Sequence, residues 1–434
     1  MRRQLYTNTA LLTASSLLMS CIGMAFQVWL VGRIGSAGIG LYELTVSVTN
    51  LCATFAISGI RFGTTRLVAE ELGLDKAGGL GAVMGRCLAY GAFFGAAALA
   101  VLWLLAEPIG FLWIGDARTV LSLRISAFSM PCVSLCSSLS GYFTACGRVW
   151  KPTLVHLLEQ LAGIALVALF LRRAPAGDIE KSCAAVTAGR LAADLLSLLL
   201  MGLAYWEDRR HICRSAPGRR LTARMLHIAV PLALSAYARS ALTTFQHLLV
   251  PRGLKAAGFS ADGALSGYGT IQGMALPVLL FPSCLLSAAA ELIVPELTEA
   301  QVRRDTAEIR RSTRTLLRLS LLFSGAVAAF LFLFSDPLAL AVYKNADAGY
   351  YIRVLAPLVP LMYTDMSVDG CLKGLGQQVW SMGINIVEAA LGLLLIWTLL
   401  PRYALTAYIA IVYFSEIFNF ILSLWRLRRV LLRP

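Results

Sequence analysis

The sequence predicts an all-α integral membrane protein, with twelve transmembrane helices in two homologous six-helix bundles. Three observations support this prediction: the composition, the number of long apolar stretches and an internal repeat. Of the 434 residues, 58% are hydrophobic and 14% are charged, and the mean hydropathy is +0.72. A soluble domain carries about 25% charged residues. The composition therefore excludes an ordinary soluble protein.

Twelve apolar stretches are long enough to cross a bilayer as helices, which takes about 20 residues. They cover residues 9–32, 38–60, 82–106, 119–146, 150–171, 182–205, 225–250, 264–293, 314–335, 350–372, 379–400 and 403–425. Prolines interrupt several of them, and a proline within a helix kinks it and leaves a carbonyl without its donor. Such breaks occur near transporter binding sites and are also tolerated as structural features.

One stretch of sequence occurs twice, at residues 124–171 and 353–400, with an offset of 229 positions. The chemically informative matches are Arg124 with Arg353, Pro131 with Pro360, Gly141 with Gly370, Gly147 with Gly376 and Glu159 with Glu388. A duplication of this length predicts two homologous halves. We therefore expect an N-terminal bundle at 1–205, a basic cytoplasmic linker at 206–224 and a C-terminal bundle at 225–434.

Basic residues are divided unevenly between the two sides of the predicted bundle. With a cytoplasmic N-terminus, the cytoplasmic segments hold 24 of the 38 lysines and arginines, and the opposite loops hold nine. Because basic residues are enriched in cytoplasmic loops, we expect a multi-pass plasma-membrane protein with both termini in the cytoplasm. The net charge of +14 then reflects topology and attraction to anionic lipid, and gives no reason to expect nucleic-acid binding. On the same side, residues 296–314 predict an interfacial amphipathic helix.

A polar stripe on the second predicted helix is the clearest candidate site. Its residues are spaced by three or four positions and share one helical face: Glu43, Ser47, Asn50, Thr54, Ser58 and Arg61. An ionisable side chain within a membrane helix costs roughly 2.5–3.5 kcal/mol and usually faces a cavity or a partner. We predict that the stripe lines a hydrated path, with Arg61 at its cytoplasmic mouth. The alternative is a polar seam against a neighbouring helix.

Two further predicted helices carry similar stripes. Helix 7 has Ser235, Arg239, Thr243 and Gln246, and helix 8 has Ser283, Ser287 and Glu291. Arg239 lies in the middle of its helix and needs either a carboxylate or a bound anion. We add Arg239, Gln246 and Glu291 to the candidate substrate-binding residues.

Intramembrane carboxylates are the candidates for ion coupling: Glu159, Asp194, Asp365, Asp369 and Glu388. Glu159 and Glu388 occupy equivalent positions of the repeat, which also suits a symmetric structural clamp. Asp194 follows Arg190 by four residues, and such a pair can neutralise itself on one helix face.

No catalytic constellation is present in the sequence: we find no phosphate-binding loop, no zinc-ligand spacing and no nucleophile–base pair. The ten cysteines include no CxxC pair, and most lie in apolar stretches, where cysteine acts as a small hydrophobe. We therefore predict no enzyme activity, no disulfide framework, no metal site and no cofactor. Coupling to Na⁺ or H⁺ remains open.

Two local segments resemble the multidrug/oligosaccharidyl-lipid/polysaccharide (MOP) exporter superfamily. Residues 59–71, GIRFGTTRLVAEE, look like the helix 2 exit of its polysaccharide-biosynthesis branch, and residues 369–377, DGCLKGLGQ, look like its helix 10–11 turn. The resemblance covers essentially the whole chain, includes sporulation proteins of that branch, and extends more distantly to MATE transporters and MurJ lipid II flippases. It implies a V-shaped central cavity lined by helices 1, 2, 7 and 8 and by arginines, for which Arg61 and Arg239 are the matching candidates.

The resemblance favours a flippase or exporter of lipid-linked oligosaccharide, or of a peptidoglycan or spore-cortex precursor, working by alternating access. Arg61 and Arg239 would hold the lipid pyrophosphate, because guanidinium groups suit phosphate oxygens. Two alternatives stay open: a cation-coupled MATE-type antiporter of drugs or metabolites, and a non-transporting scaffold for wall-synthesis enzymes. The expected partners are a lipid-linked or amphipathic substrate and membrane lipids, and we expect a monomer that binds no nucleic acid.

Overall fold

The computed structural model describes residues 2–73, 80–173, 175, 177–209, 221–303 and 305–432, and no β-strand occurs in these ranges. The helices are α1 (Arg2–Ile57), α2 (Ile60–Gly73), α3 (Leu80–Pro108), α4 (Val120–Ala127), α5 (Ser129–Ala145), α6 (Trp150–Leu171), α7 (Ile179–Arg209), α8 (Leu221–Ala256), α9 (Ala261–Gly269), α10 (Leu276–Leu280), α11 (Ser283–Val302), α12 (Thr306–Leu333), α13 (Ser335–Tyr343), α14 (Ala346–Leu355), α15 (Val359–Gly374) and α16 (Gln378–Leu432). Short π-helical turns follow α3 and α9, and 3₁₀ turns precede α4 and α15.

Within the described ranges, seven helices are long and apolar enough to cross a membrane. The number becomes eight if α4 and α5, which meet at 41°, form one broken span. These lengths are those of a multi-pass membrane protein. The count is lower than the twelve predicted stretches, so the twelve-helix arrangement stays a prediction.

The difference in count has a physical origin in kinks and breaks. Helix α1 contains two predicted stretches that meet at Gly35 (φ 72°, ψ 178°), and α16 contains two that meet at Ala404 (φ 50°, ψ −134°). The predicted stretch 264–293 is divided by a turn at Pro282, and the stretch 350–372 by a 3₁₀ turn containing Pro357. An apolar stretch of the sequence therefore does not always correspond to one unbroken helix in this chain.

The chain forms two compact units. The first consists of Met1–Ser15 with Leu44–Thr244, and the second of Ser16–Glu43 with Phe245–Pro434. These limits differ from the predicted boundaries at 205 and 225, because α1 and α8 each contribute to both units. Of the predicted linker, residues 210–220 lie outside the described part of the chain.

The early part of α8 belongs to the first unit through polar contacts with α2 and α3. Arg224 forms an ion pair with Glu70, and Arg86 Nη1 donates to Thr222 Oγ1 over 2.9 Å. The same helices contribute to an apolar core drawn from α2, α3, α5, α7 and α8, with Ile60, Leu67, Met84, Phe143, Met201 and Ala229 among its buried residues. The core explains why the unit extends past the predicted linker.

The second unit has its own core between α11, α12, α15 and α16. Its buried residues include Leu297, Leu316, Val368, Leu372 and Leu427. The predicted amphipathic helix over 296–314 is not continuous, because the chain turns at Arg303 and α12 begins after Asp305. The Asp305 carboxylate accepts from the backbone N–H groups of Ala307 and Glu308 and caps α12.

One ion pair is repeated at the 229-residue offset. Arg124 pairs with Glu107 at 2.7 Å, and the equivalent Arg353 pairs with Asp336. Both pairs join residues 17 positions apart, and the two acids are themselves 229 residues apart. The repeat therefore has a counterpart in side-chain contacts, beyond the matched letters of the sequence.

A glycine crossing in the second unit has the same offset. A Cβ at Gly40 would overlap the carbonyl oxygen of Leu265, and a Cβ at Gly269 would overlap that of Ser36. Ser36 and Ser266 also share a hydrogen bond of 2.6 Å. Because Gly40 and Gly269 are 229 residues apart and meet reciprocal partners, this contact has the form of a local two-fold crossing of α1 and α9.

Candidate functional site

Glu43 lies in a polar cavity of the second unit. The cavity has a volume of about 590 Å³, and its polar lining comes from Ser20, Gln27, Glu43, Gln272, Ser283 and Ser287. Gln27 Nε2 donates to Glu43 Oε1 over 3.3 Å and to the carbonyl oxygen of Gly273 over 3.2 Å. The half-buried carboxylate is thus held by an amide at the edge of a space large enough for part of a substrate.

The middle of the predicted stripe is divided between a helix contact and exposed surface. Thr244 Oγ1 donates to the backbone oxygen of Ser47 over 3.1 Å. Thr54 Oγ1 donates to the backbone oxygen of Asn50 over 2.8 Å and lies 3.3 Å from Ser240 Oγ. The Asn50 side chain is exposed. This section of α1 is therefore partly a seam against α8 and partly open.

Ser58 is buried between side chains, which corrects the prediction that it lines a hydrated path. Its side chain is 2% exposed, and its Oγ lies 2.8 Å from the Tyr90 hydroxyl and 2.6 Å from the Tyr237 hydroxyl. Its φ is +44°, and that of Gly59 is +69°. Helix α1 ends here in left-handed backbone, so the six predicted stripe residues do not share one continuous helix. Ser58 stabilises the junction between α1 and α2 through its hydrogen bonds with the two tyrosines.

Arg61 lies beyond that junction, on a cavity of the first unit of about 180 Å³. The same cavity is lined by the predicted ion-coupling residues Glu159 and Asp194, together with His156 and Ser197. His156 Nδ1 lies 3.3 Å from Glu159 Oε2. The structure thus brings a guanidinium and two carboxylates to one space, where they can bind an anion, a cation or a proton.

The α8 candidates have different surroundings. Arg239 is exposed, and its backbone oxygen accepts from Thr243 Oγ1 over 3.0 Å. Within the described part of the chain, neither Arg239 nor Arg61 forms an ion pair. The Gln246 amide donates to the backbone oxygen of Ala389 over 2.8 Å and holds α8 against α16, and its role in substrate binding stays a prediction. The side chain of Glu291 lies outside the described residues.

The remaining ion-coupling candidates gather in the second unit. Asp369 pairs with Lys373 at 2.6 Å and accepts from the Ser381 hydroxyl. Asp365 lies close enough to Asp369 and Glu388 to interact with them electrostatically. Its Oδ1 atom is buried and has no hydrogen-bond partner within the described part of the chain. No group of three or more side chains suited to hold a metal ion occurs among the described residues.

Two site residues were missed from the sequence. Gln27 is an isolated amide in an apolar stretch, and that isolation was the available signal. Glu416 interacts electrostatically with Asp365 and Glu388 and so belongs to the acidic cluster. Its place in the cluster depends on the packing of α15 against α16, which has no signature in the sequence.

Comparison with known proteins identifies the family. The sequence profile described as Polysaccharide biosynthesis protein matches residues 5–301, more than half of the chain. The chain belongs to this family. A second profile, described as MatE, matches residues 256–398. Both matches confirm the resemblance to the MOP superfamily and its polysaccharide-biosynthesis branch.

Curated relatives of this family member come from Bacillus subtilis (strain 168). Stage V sporulation protein B is 23% identical over 403 residues, which cover 92% of this chain and 78% of the relative. Sporulation protein YkvU is 21% identical over 383 residues, covering 86% of this chain and 84% of the relative. The similarity extends over most of each sequence.

Solved structures show the same fold. An inward-facing multidrug resistance MATE family transporter of the MOP superfamily aligns with a TM-score of 0.73 at 16% identity, covering 95% of both chains. A MOP superfamily transporter from Pyrococcus furiosus aligns with a TM-score of 0.68 at 14% identity, covering 98% of this chain and 95% of that one. Family and fold together make this protein a membrane transporter of the MOP superfamily.

Proposed function

We propose that this transporter flips a lipid-linked oligosaccharide or cell-wall precursor across the membrane by alternating access. The observation that carries the proposal is the pair Arg61 and Arg239. Both are exposed, both belong to the first unit, and neither forms an ion pair within the described part of the chain. A guanidinium on a membrane helix needs an anionic partner, and a lipid pyrophosphate supplies one.

The family description, Polysaccharide biosynthesis protein, supports a substrate that carries a saccharide, and the similarity to stage V sporulation protein B supports a role in sporulation. In this proposal the head group crosses beside the two arginines while the lipid tail stays in the bilayer. The Glu43 carboxylate and the Gln27 amide oxygen offer acceptors for sugar hydroxyls in their cavity, while the Gln27 N–H groups donate to Glu43 and Gly273. The clusters around Glu159 and Asp365 are the proposed sites of Na⁺ or H⁺ coupling.

A decisive experiment replaces Arg239 and measures flipping of a fluorescent lipid-pyrophosphate sugar in vesicles. Arg239→Ala should reduce flipping at least about tenfold, since a lost charge-assisted contact is worth about 1.5–3 kcal/mol. Arg239→Lys should also transport poorly, because lysine keeps the charge but lacks the bidentate fork. Arg66→Ala is the matched control: Arg66 is exposed, but it already pairs with Glu70 at 3.0 Å.

Three outcomes decide the result. Loss in both Arg239 variants with full activity in Arg66→Ala supports a substrate contact. Full activity in Arg239→Ala removes this residue from the substrate site. Reduced expression and detergent stability in Arg239→Ala would instead identify a structural ion pair, which also contradicts the proposal.

The second candidate is a cation-coupled MATE-type antiporter, favoured by the acidic cluster of Asp365, Glu388 and Glu416. Carboxylates on membrane helices can bind a coupling cation or a cationic substrate. The same vesicles, loaded with a cationic dye under a Na⁺ or proton gradient, separate the two functions. Dye transport without lipid flipping would replace the flippase proposal.

A further inference from the structure

A cavity separate from the sites above lies where α12 begins and α16 ends. Its volume is about 510 Å³, and its lining includes polar Gln301, Thr306 and Arg310 and apolar Ile309, Leu375 and Val430. Arg310 donates from Nε and Nη2 to the backbone oxygen of Leu431, over 3.2 and 3.0 Å. Within the described part of the chain, the Nη1 donors remain available for a ligand.

The surroundings of this cavity are strongly basic. The exposed arginines on the two helix ends are Arg310, Arg311, Arg314, Arg428 and Arg429. Acidic residues are also present at the start of α12, but Asp305 caps that helix and Glu299 pairs with Arg303 at 2.5 Å. Glu308 remains as an exposed carboxylate. The balance favours an anionic ligand.

Two tryptophans beside the basic residues indicate the depth of the cavity. The ring centroids of Trp380 and Trp425 lie 6.1 Å apart, and the two side chains are 41% and 47% exposed. Arg426 lies 4.7 Å from the ring of Trp380, and Arg429 lies 5.3 Å from the ring of Trp425. Tryptophans on membrane helices concentrate at the lipid headgroup level. The cavity is therefore expected at the headgroup layer.

We propose that this cavity is a binding site for the phosphate headgroup of an anionic phospholipid. The guanidinium of Arg310 would donate to the phosphate oxygens, and Gln301 and Thr306 would add neutral hydrogen bonds. Ile309, Leu375 and Val430 would contact the glycerol and upper acyl carbons. A soluble phosphate would use the arginine but gain nothing from the apolar wall, and for this reason we assign the site to a lipid. Binding would tie the start of α12 to the end of α16.

The test is lipid-dependent thermal stability of the full-length protein. The purified chain is placed in nanodiscs of phosphatidylcholine alone or of equal parts phosphatidylcholine and phosphatidylglycerol. A ligand that binds only the folded state raises Tm. We expect phosphatidylglycerol to raise the Tm of the wild type, and Arg310→Gln to lose more than half of that increase. Arg314→Gln, an exposed arginine one turn later that does not line the cavity, should retain it.

Val430→Trp provides an independent variant, because it fills the cavity without changing charge and leaves Arg310 in place to bond to the Leu431 backbone oxygen. It too should lose the lipid-dependent increase, and it keeps the test valid if Arg310→Gln does not fold. An unchanged increase in Val430→Trp overturns the proposal. So does an equal loss in Arg310→Gln and Arg314→Gln, which would indicate diffuse surface attraction. Inorganic phosphate that reproduces the increase in phosphatidylcholine nanodiscs would show a soluble-anion site and refute a lipid site.

Discussion

Asp365 and Asp369 lie one turn apart on α15 and have different neighbours. Asp369 is balanced by Lys373 at 2.6 Å and by the hydroxyl of Ser381. Asp365 has a buried oxygen without a partner in the described part of the chain, and Glu416 is close enough to interact with it. A carboxylate already paired with lysine has little need of a cation, so Asp365 is the better candidate for coupling.

Asp365→Asn should therefore remove the dependence of transport on Na⁺ or on pH, while the protein remains folded. Asparagine keeps the shape of the side chain but carries no charge to hold a cation. The measurement is the initial rate of flipping over a range of Na⁺ concentrations and of pH. Asp369→Asn is the control and should mainly lower thermal stability, because it leaves Lys373 without its partner. An Asp365→Asn variant with wild-type ion dependence would contradict this assignment.

At the scale of secondary-structure elements, the crossing of α1 and α9 is the tightest described contact with the repeat offset. Gly40 and Gly269 each leave no room for a Cβ, and each faces a backbone carbonyl of the other helix. A methyl group would push the helices apart, and overpacking of this kind costs typically 1–3 kcal/mol.

Gly40→Ala and Gly269→Ala should consequently have similar effects on stability, and the double variant should cost less than their sum. The reason is that either methyl group separates the same two helices, so the second finds space already opened. Thermal unfolding in detergent measures both quantities. Gly32→Ala serves as control, since a Cβ there meets nothing within 4 Å. Strictly additive losses would mean that the two glycines act at independent contacts.

On the scale of the whole molecule, charge distribution and the repeat support one topology. Both proposed halves begin on the same side of the membrane, because each contains an even number of predicted spans. The basic residues then concentrate on the side that carries both termini. The same topology predicts that the basic ends of α12 and α16, which form the proposed lipid site, lie on this side as well.

Reporter fusions test this topology directly. A fluorescent protein that folds only in the cytoplasm should be bright at either terminus, and alkaline phosphatase, which is active only outside, should be inactive there. Fusion after Gly258, in a predicted outer loop, should give the reverse pattern. A bright C-terminal fusion combined with an active N-terminal phosphatase would require an odd number of spans and would refute two six-helix halves.

The sequence by itself determined the membrane class, the family and the repeat, because composition, apolar length and rare matched residues are visible without a structure. The repeat also located Arg124 and Arg353, whose ion pairs proved equivalent. Periodicity showed which residues share a helix face, but it does not show whether that face contacts another helix, a cavity or lipid. Only tertiary structure decided that Ser58 binds two tyrosines and that Gln246 binds the backbone of α16. Only the tertiary structure also showed that Arg61, Glu159 and Asp194 line one cavity, because the proximity of residues distant in sequence depends on packing between helices.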